Sequence, residues 1–315
     1  MSTGDFKISV CVPIYNQEKY IEQCCVSLFE QTYNNIEFIF VDDASTDNSL
    51  NILHETIQRY PNRASEVKII ECEFNKGLWN SRNLSIENAT GEYIVVCDSD
   101  DWMEFTAVAN LVEKAKTTNA DIVCTPYFEN ENSVIKYNCF DYKDINTCRI
   151  DVLHFSWCNK LIRRNLIVDN LLRIPENLNC WEDLCVTARL FSLTDKIELL
   201  DIPYYHYRKQ NQVSYTSDNH KNILAQHLFC AEFLDDWFLN RGEDFYTKYQ
   251  GFIYALKFTA KIKMLRGESR DFKSWKETYP EVNSNLDQYK WLSLPYKILF
   301  HLADKLPLFI CNLFS

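Results

Sequence analysis

The chain has 315 residues, 46% hydrophobic and 24% charged, with a formal net charge of -11. That composition folds and buries a sizeable core, and the length suits one large domain or a main domain with a smaller one. The acidic balance, with no run of Lys and Arg longer than Arg163-Arg164, argues against nucleic acid as a partner.

In chain order, Ile8 to Ile14 reads as a short buried strand, followed by helical spacing over Lys19 to Gln31. Ile36 to Val41 is the second strand, and Asp47 stands where an N-cap would, ahead of a helix over Ser49 to Tyr60. Val67 to Glu71, Tyr93 to Cys97 and Asp121 to Thr125 continue the strands. Helices are predicted over Trp79 to Asn88 and Phe105 to Thr117. Strands alternating with helices imply βαβ units and a mostly parallel sheet. Tyr127 to Arg149 is polar and irregular. Asp151 to Asn170 and Glu182 to Leu193 look helical, Pro203 to Arg208 is an aromatic strand, and long amphipathic segments follow from about Asn222.

Glycine and cysteine narrow the chemistry. Only 6 glycines are present and none are clustered, so no GxGxxG or GxxxxGK phosphate loop can be written. Bound phosphate would have to meet a metal or Arg and Lys side chains. The 13 cysteines form no CxxC pair, and Cys11, Cys97 and Cys124 sit in strand-like runs. They read as reduced, buried thiols of a cytosolic protein. MSTGDFKISV lacks the basic start and apolar core of a signal peptide, and no stretch reaches the ~18 apolar residues of a membrane span. The expected location is cytoplasmic.

Three polar clusters follow strands: Tyr15-Asn16, Asp42-Asp43 and Asp98 to Asp101. In an open parallel sheet the carboxyl edge is where ligands bind, so the three would converge on one crevice. Asp98 and Asp100, one residue apart at a strand end, could address one hard cation and leave positions for substrate phosphates. Equally, Asp98 to Asp101 could cap a following helix. Asp42-Asp43 could be a simple turn. Glu182-Asp183 could cap a helix or supply a general base.

Taken together these segments resemble the family 2 glycosyltransferases. The resemblance is carried by VPIYNQEKYIEQCCVSLFEQTYNNIEFIFVDDASTDNS, NKGLWNSRN, GEYIVVCDSDD, WCNKLIRR, WEDLCVTARL and, more loosely, PYYHYRKQNQVS. It implies the nucleotide-sugar-binding GT-A fold over residues 1–215, an α/β domain with a mostly parallel sheet flanked by helices. Residues 216–315 would be a helical C-terminal extension.

The resemblance also implies roles. Pro13 and Tyr15 would line a nucleotide pocket, with Tyr15 stacking on uracil, and Asp43 would bond the base. Arg82 would face the nucleotide. Asp98 and Asp100 would form the DxD motif, holding Mn2+ or Mg2+ with Asp98 beside the nucleotide. Asp183 would be the catalytic base. Trp157, Asn159, Lys160, Trp181 and Glu182 would border the sugar and acceptor. The partners implied are a nucleotide-sugar donor, a UDP-sugar favoured, and a glycan or lipid-linked acceptor. The expected reaction is a single inverting displacement in surface-polysaccharide synthesis.

Two departures from the family pattern stand out. Trp181 fills a position often held by Gly, either as a platform for a sugar face or as packing. Arg208 is followed by Lys209, Gln210, Asn211 and Gln212, so a second arginine is missing. His206 is the nearest candidate for an extra metal ligand, although a His in an aromatic strand is more often structural. Trp291 to Ser315 is apolar but interrupted by His301, Asp304 and Lys305, so it would lie at a membrane interface or dock on its own domain. A nucleotidyltransferase would need a Gly-rich N-terminal loop that VPIYNQEKY lacks. A non-catalytic nucleotide-sugar-binding subunit would not need Asp98, Asp100 and Asp183 together.

Overall fold

The computed structural model describes residues 5–130, 133–135, 145, 155–209, 220–265, 271–288 and 294–305. Its strands are β1 (Ile8–Ile14), β2 (Ile36–Asp42), β3 (Val67–Glu71), β4 (Tyr93–Val96), β5 (Trp102–Met103) and β6 (Ile122–Cys124). After them come β7 (Tyr127–Glu129), β8 (Ser133–Ile135), β9 (Lys160–Arg163), β10 (Ile197–Leu199) and β11 (Tyr205–Tyr207). Helices α1 (Ile21–Phe29), α2 (Ser49–Arg59), α3 (Pro61–Ala64), α4 (Leu78–Asn88) and α5 (Ala107–Thr118) alternate with the early strands. Helices α6 (Arg164–Val168) and α7 (Glu182–Leu193) come later.

Seven strands form one sheet in the order β10-β6-β9-β4-β1-β2-β3. All of it is parallel except β9, which runs antiparallel between β4 and β6. All seven residues of β1 are buried, as expected of a parallel strand covered on both faces. A second, four-stranded sheet runs β5-β11-β7-β8.

The expected βαβ order over the first 125 residues is present. The helical expectation over 151–170 is not. Within the described part of that stretch, Lys160 to Arg163 pair as a strand and only Arg164 to Val168 are helical. Residues 131–132, 136–144, 146–154, 210–219, 266–270, 289–293 and 306–315 of the other expectations lie outside the described residues. Asp47 caps as expected but from one position outside the cap: its carboxylate accepts from Ser49 N at 2.9 Å, while Asn48 is the formal N-cap.

The chain divides into two compact units, residues 1–139 with 155–214, and residues 140–154 with 215–315. The second unit holds α8 (His220–Leu239), α9 (Glu243–Lys261), α10 (Phe272–Glu277) and α11 (Leu294–Lys305). Phe238 of α8 packs on Phe245, Tyr249 and Phe252 of α9. Phe300 of α11 is buried against Phe258 and Trp275. Leu294, Ile298 and Leu302, four residues apart on α11 and so on one face, are 68%, 52% and 50% exposed. Among the described residues no helix is long and apolar enough to cross a membrane.

Candidate active site

The carboxyl ends of β1, β2 and β4 lie side by side because β1 pairs with both neighbours in parallel. Cys11 stands opposite Val96, so extending the register sets buried Pro13 level with Asp98. The loops after β1 and β2 are locked together. Asn16 N donates to Ser45 Oγ at 3.0 Å, and Thr46 N donates to Asn16 Oδ1 at 2.8 Å. Glu18 N donates to Asp47 Oδ2 at 3.0 Å, and Asn48 N donates to Glu18 Oε2 at 3.2 Å. Asn16 and Ala44 hold left-handed backbone, with φ of 53° and 59°. Such positions persist where the surroundings over-determine them, as at ligand sites. Tyr15 stands at this lip, 45% exposed.

Asp43, the carboxylate expected to bond a base, follows directly on the end of β2. It is buried, and its oxygens accept from Lys76 N at 3.0 Å and Gly77 N at 2.7 Å. Burial is the largest influence on its carboxyl and raises its pKa. It therefore anchors the loop that opens α4, though each oxygen retains a second lone pair. Its neighbour Asp42 gives one oxygen to Ser45 N at 3.1 Å and keeps the other, Oδ1, buried without a hydrogen-bond partner. A buried orphan oxygen at a sheet edge is a position where a ligand donor would be welcome.

The turn after β4 answers whether Asp98 to Asp101 cap a helix. They do not, because β5 intervenes and α5 starts at Ala107. Asp101 is buried, with Oδ2 accepting from the Tyr205 hydroxyl at 2.6 Å and Oδ1 from Arg208 N at 2.7 Å. Burial first, then Asp100 and Asp98 beside it, push its carboxyl well above the usual range. The same Tyr205 hydroxyl accepts from Asp98 N at 3.1 Å. One phenol thus clasps both ends of the turn, leaving Asp98 and Asp100 partly exposed. Replacing Tyr205 by Phe strands two buried polar groups, so urea unfolding should show a loss of about 1–3 kcal/mol.

Arg82, from α4, is the hub. Only 2% exposed, it bonds Asp98 Oδ1 at 2.9 Å, Glu182 Oε1 at 2.9 Å and Asp183 Oδ1. The residue expected to face a nucleotide thus has its guanidinium on three carboxylates. Glu182 and Asp183 open α7, and Asp183 Oδ2 also accepts from Trp157 N at 3.2 Å. Burial, the largest influence, raises both carboxyls, and for Asp183 the Arg82 guanidinium pulls the other way. Trp157, Asn159 and Lys160 precede and open β9, which brings them to the same edge. All three are buried: Asn159 donates to Thr125 O at 2.6 Å, and Lys160 donates to Asn159 Oδ1 at 2.9 Å. These bonds brace the segment that leads into β9, and the Trp157 amide steadies Asp183.

Trp181 sits immediately before Glu182 as the N-cap of α7, partly exposed, with φ 68° and ψ 16°. Left-handed backbone is strained for a bulky residue, by about 1–3 kcal/mol. His206 is structural: its ring is stacked between Trp102 and Phe128 at 4.6 and 4.4 Å, and its Nε2 meets Glu104 at 2.6 Å. Tyr205 and Arg208 carry more of the site than the sequence reading gave them. Arg208 Nε donates to Asp100 O at 3.0 Å, and its guanidinium lies over the Tyr20 and Trp102 rings.

Among the described residues no three His, Cys, Asp or Glu side chains gather into a metal cluster. Asp98 and Asp100 still suit Mg2+ or Mn2+, which take one or two carboxylates and complete their shell with water and substrate phosphates.

The family model for glycosyl transferase family 2 matches residues 9–170. The chain belongs to that family. This family 2 glycosyltransferase is 34% identical over 222 residues to the putative glycosyltransferase EpsH of Bacillus subtilis, covering 64% of the chain and 60% of EpsH. It thus spans less than two thirds of that relative's length. Staphylococcus aureus TarS 1-349, solved in complex with UDP-GlcNAc, aligns over 94% of this chain and 87% of its own, with 23% identity and a TM-score of 0.75. The mannosyltransferase PcManGT of Pyrobaculum calidifontis, in complex with GDP-Man and Mn2+, aligns over 95% and 79% with 17% identity and a TM-score of 0.57. These likenesses show the GT-A fold, with its mostly parallel sheet and flanking helices.

Proposed function

We infer that the chain transfers a sugar, with inversion, from a nucleoside-diphosphate donor to a hydroxyl of a glycan or lipid-linked acceptor in surface-polysaccharide synthesis. The observation that carries this reading is the Arg82 hub, which ties a DxD carboxylate, Asp98, to the carboxylate that would act as base, Asp183. Diphosphate and acceptor chemistry would then share one crevice. UDP is the favoured donor nucleotide, supported by the UDP-GlcNAc complex of TarS. Tyr15 would stack on the base, with Asp42 and Asp43 beneath it.

Asp98 and Asp100 would hold Mn2+ or Mg2+, which when bound neutralises charge on the diphosphate. Asp183 takes the proton of the acceptor hydroxyl. The freed oxygen pair attacks the anomeric carbon from the face opposite the diphosphate, and the sugar–phosphate bond breaks with its electrons on UDP. One displacement turns an α-linked donor into a β-linked product. Arg82 holds Asp183 in place during the transfer, and the Trp157 amide fixes its second oxygen.

Calorimetry of UDP binding, with and without Mn2+, tests the donor half. Binding that depends on Mn2+ and is lost in Asp100→Ala is the expected result. Equal binding by both forms would remove the DxD assignment.

A lipid-linked acceptor would bring the enzyme to the cytoplasmic face of an anionic membrane. The Leu294, Ile298 and Leu302 stripe suits such a surface. Lys297, His301 and Lys305 lie in the same helix, and the following LPLFICNLFS carries no charge. Replacing the three apolar residues by Ser should abolish flotation with anionic vesicles; unchanged flotation would remove the lipid contact.

A further inference from the structure

We propose that Tyr205 is a positioning residue for the metal turn: its hydroxyl holds the backbone of Asp98 to Asp101 in the form that lets Asp98 and Asp100 share one divalent cation. The inference rests on the metal and donor reading above and adds to it a buried residue that acts through the turn.

Two carboxylates one residue apart serve one cation only if the backbone between them keeps its shape. Within the turn, Asp101 N donates to Asp98 O at 3.0 Å. Further bonds come from Tyr205, the first residue of β11, and from Arg208, the residue that follows it. The Tyr205 hydroxyl accepts from Asp98 N at 3.1 Å and donates to Asp101 Oδ2 at 2.6 Å. Arg208 N donates to Asp101 Oδ1 at 2.7 Å, and Arg208 Nε donates to Asp100 O at 3.0 Å. Strand β11 is itself fixed on both sides. Tyr205 stands opposite Met103 of β5 in antiparallel register and opposite Tyr127 of β7 in parallel register. The second sheet thus shapes a turn that leaves the first.

Packing alone does not ask for a tyrosine here. The ring is 1% exposed, and phenylalanine would fill the same space. What the phenol adds is one oxygen that donates and accepts at once, and both of these bonds go to the turn. Asp101 is buried with both oxygens bonded, so it serves as the counterpart of the phenol and leaves the cation to the partly exposed Asp98 and Asp100. The amide that Tyr205 holds belongs to Asp98, the first ligand itself. Releasing it frees the backbone of that ligand without removing any ligand atom. Groups that orient metal ligands from behind are typically worth about 10–100-fold in metal affinity.

The test is calorimetry of UDP binding over a series of Mn2+ concentrations, comparing wild type, Tyr205→Phe, Asp101→Ala and Tyr93→Phe. Tyr93 is the control. It opens β4 at the end of that strand away from Asp98, is fully buried, and donates to Ala120 O at 2.7 Å. In Tyr205→Phe the Mn2+ concentration that gives half of the full UDP affinity should rise about tenfold. Saturating Mn2+ should return UDP affinity to the wild-type value, because every ligand atom is still present. Asp101→Ala, which removes the acceptor of the phenol, should shift the Mn2+ midpoint in the same direction. Tyr93→Phe should lose stability to urea in the same way, yet keep the wild-type midpoint. A Tyr205→Phe protein with the wild-type midpoint would overturn the proposal, as would an equal shift in Tyr93→Phe. A shift in Asp101→Ala alone would make that carboxylate a ligand and overturn it too. Wild-type UDP binding indifferent to Mn2+ would remove the metal reading and the proposal together, which tells the two failures apart.

Discussion

Arg82→Met should cost about 3–5 kcal/mol of stability. The arginine is a buried cation among Asp98, Glu182 and Asp183. Methionine keeps much of the volume and none of the charge, so three like charges would face one another in a poorly solvated space. With the stability of a typical domain at about 5–15 kcal/mol, the variant should unfold at a much lower urea concentration. Arg82→Lys should rescue only part, since one ammonium cannot reproduce the guanidinium fork that spans three carboxylates. A variant as stable as wild type would mean that the hub is spread open to solvent and its charges are screened.

Asp183→Asn should lower kcat by about 10²–10⁴, the range for loss of a positioned base, while UDP affinity is kept. Asparagine can still accept from Trp157 N but cannot take a proton. The pH profile gives a second check. Burial raises the Asp183 carboxyl, and Arg82 only partly offsets it. The base works when ionised, so the wild-type rate should climb as pH rises through a pKa above the usual carboxylate range. In Asp183→Asn that acid limb should vanish. A variant with full transferase activity would remove Asp183 from the chemistry.

Much of this was legible from the chain. Apolar runs ending in Asp42-Asp43 and Asp98 to Asp101 revealed both the strands and the edge they share, while a turn or a helix cap would have left the same local pattern. Other features rest on pairings far apart in sequence. Arg82 meets partners 16 to 101 residues away. Nothing local to SRN shows whether it faces a ligand or the protein. Tyr205 stood out only as one of several aromatics in PYYHYR; that its hydroxyl clasps the Asp98 turn depends on the second sheet. The stretch WCNKLIRR failed for a related reason. A four-residue strand is too short to show a period of two, and its conformation is set by the strands on either side.

That inserted strand has a consequence for how the protein is made. β4 and β6 are synthesised well before β9, which then enters between them. Until Lys160 to Arg163 leave the ribosome, two apolar strands have an unfilled side, and each is open to pairing with another chain. The nascent first half is thus the aggregation-prone stage of biogenesis, and a chaperone that shields exposed strand edges would matter most during that interval. The strand that closes the gap follows directly on Trp157 and Asn159, so the segment whose amide steadies Asp183 is set down as that gap is filled, ahead of Asp183 itself.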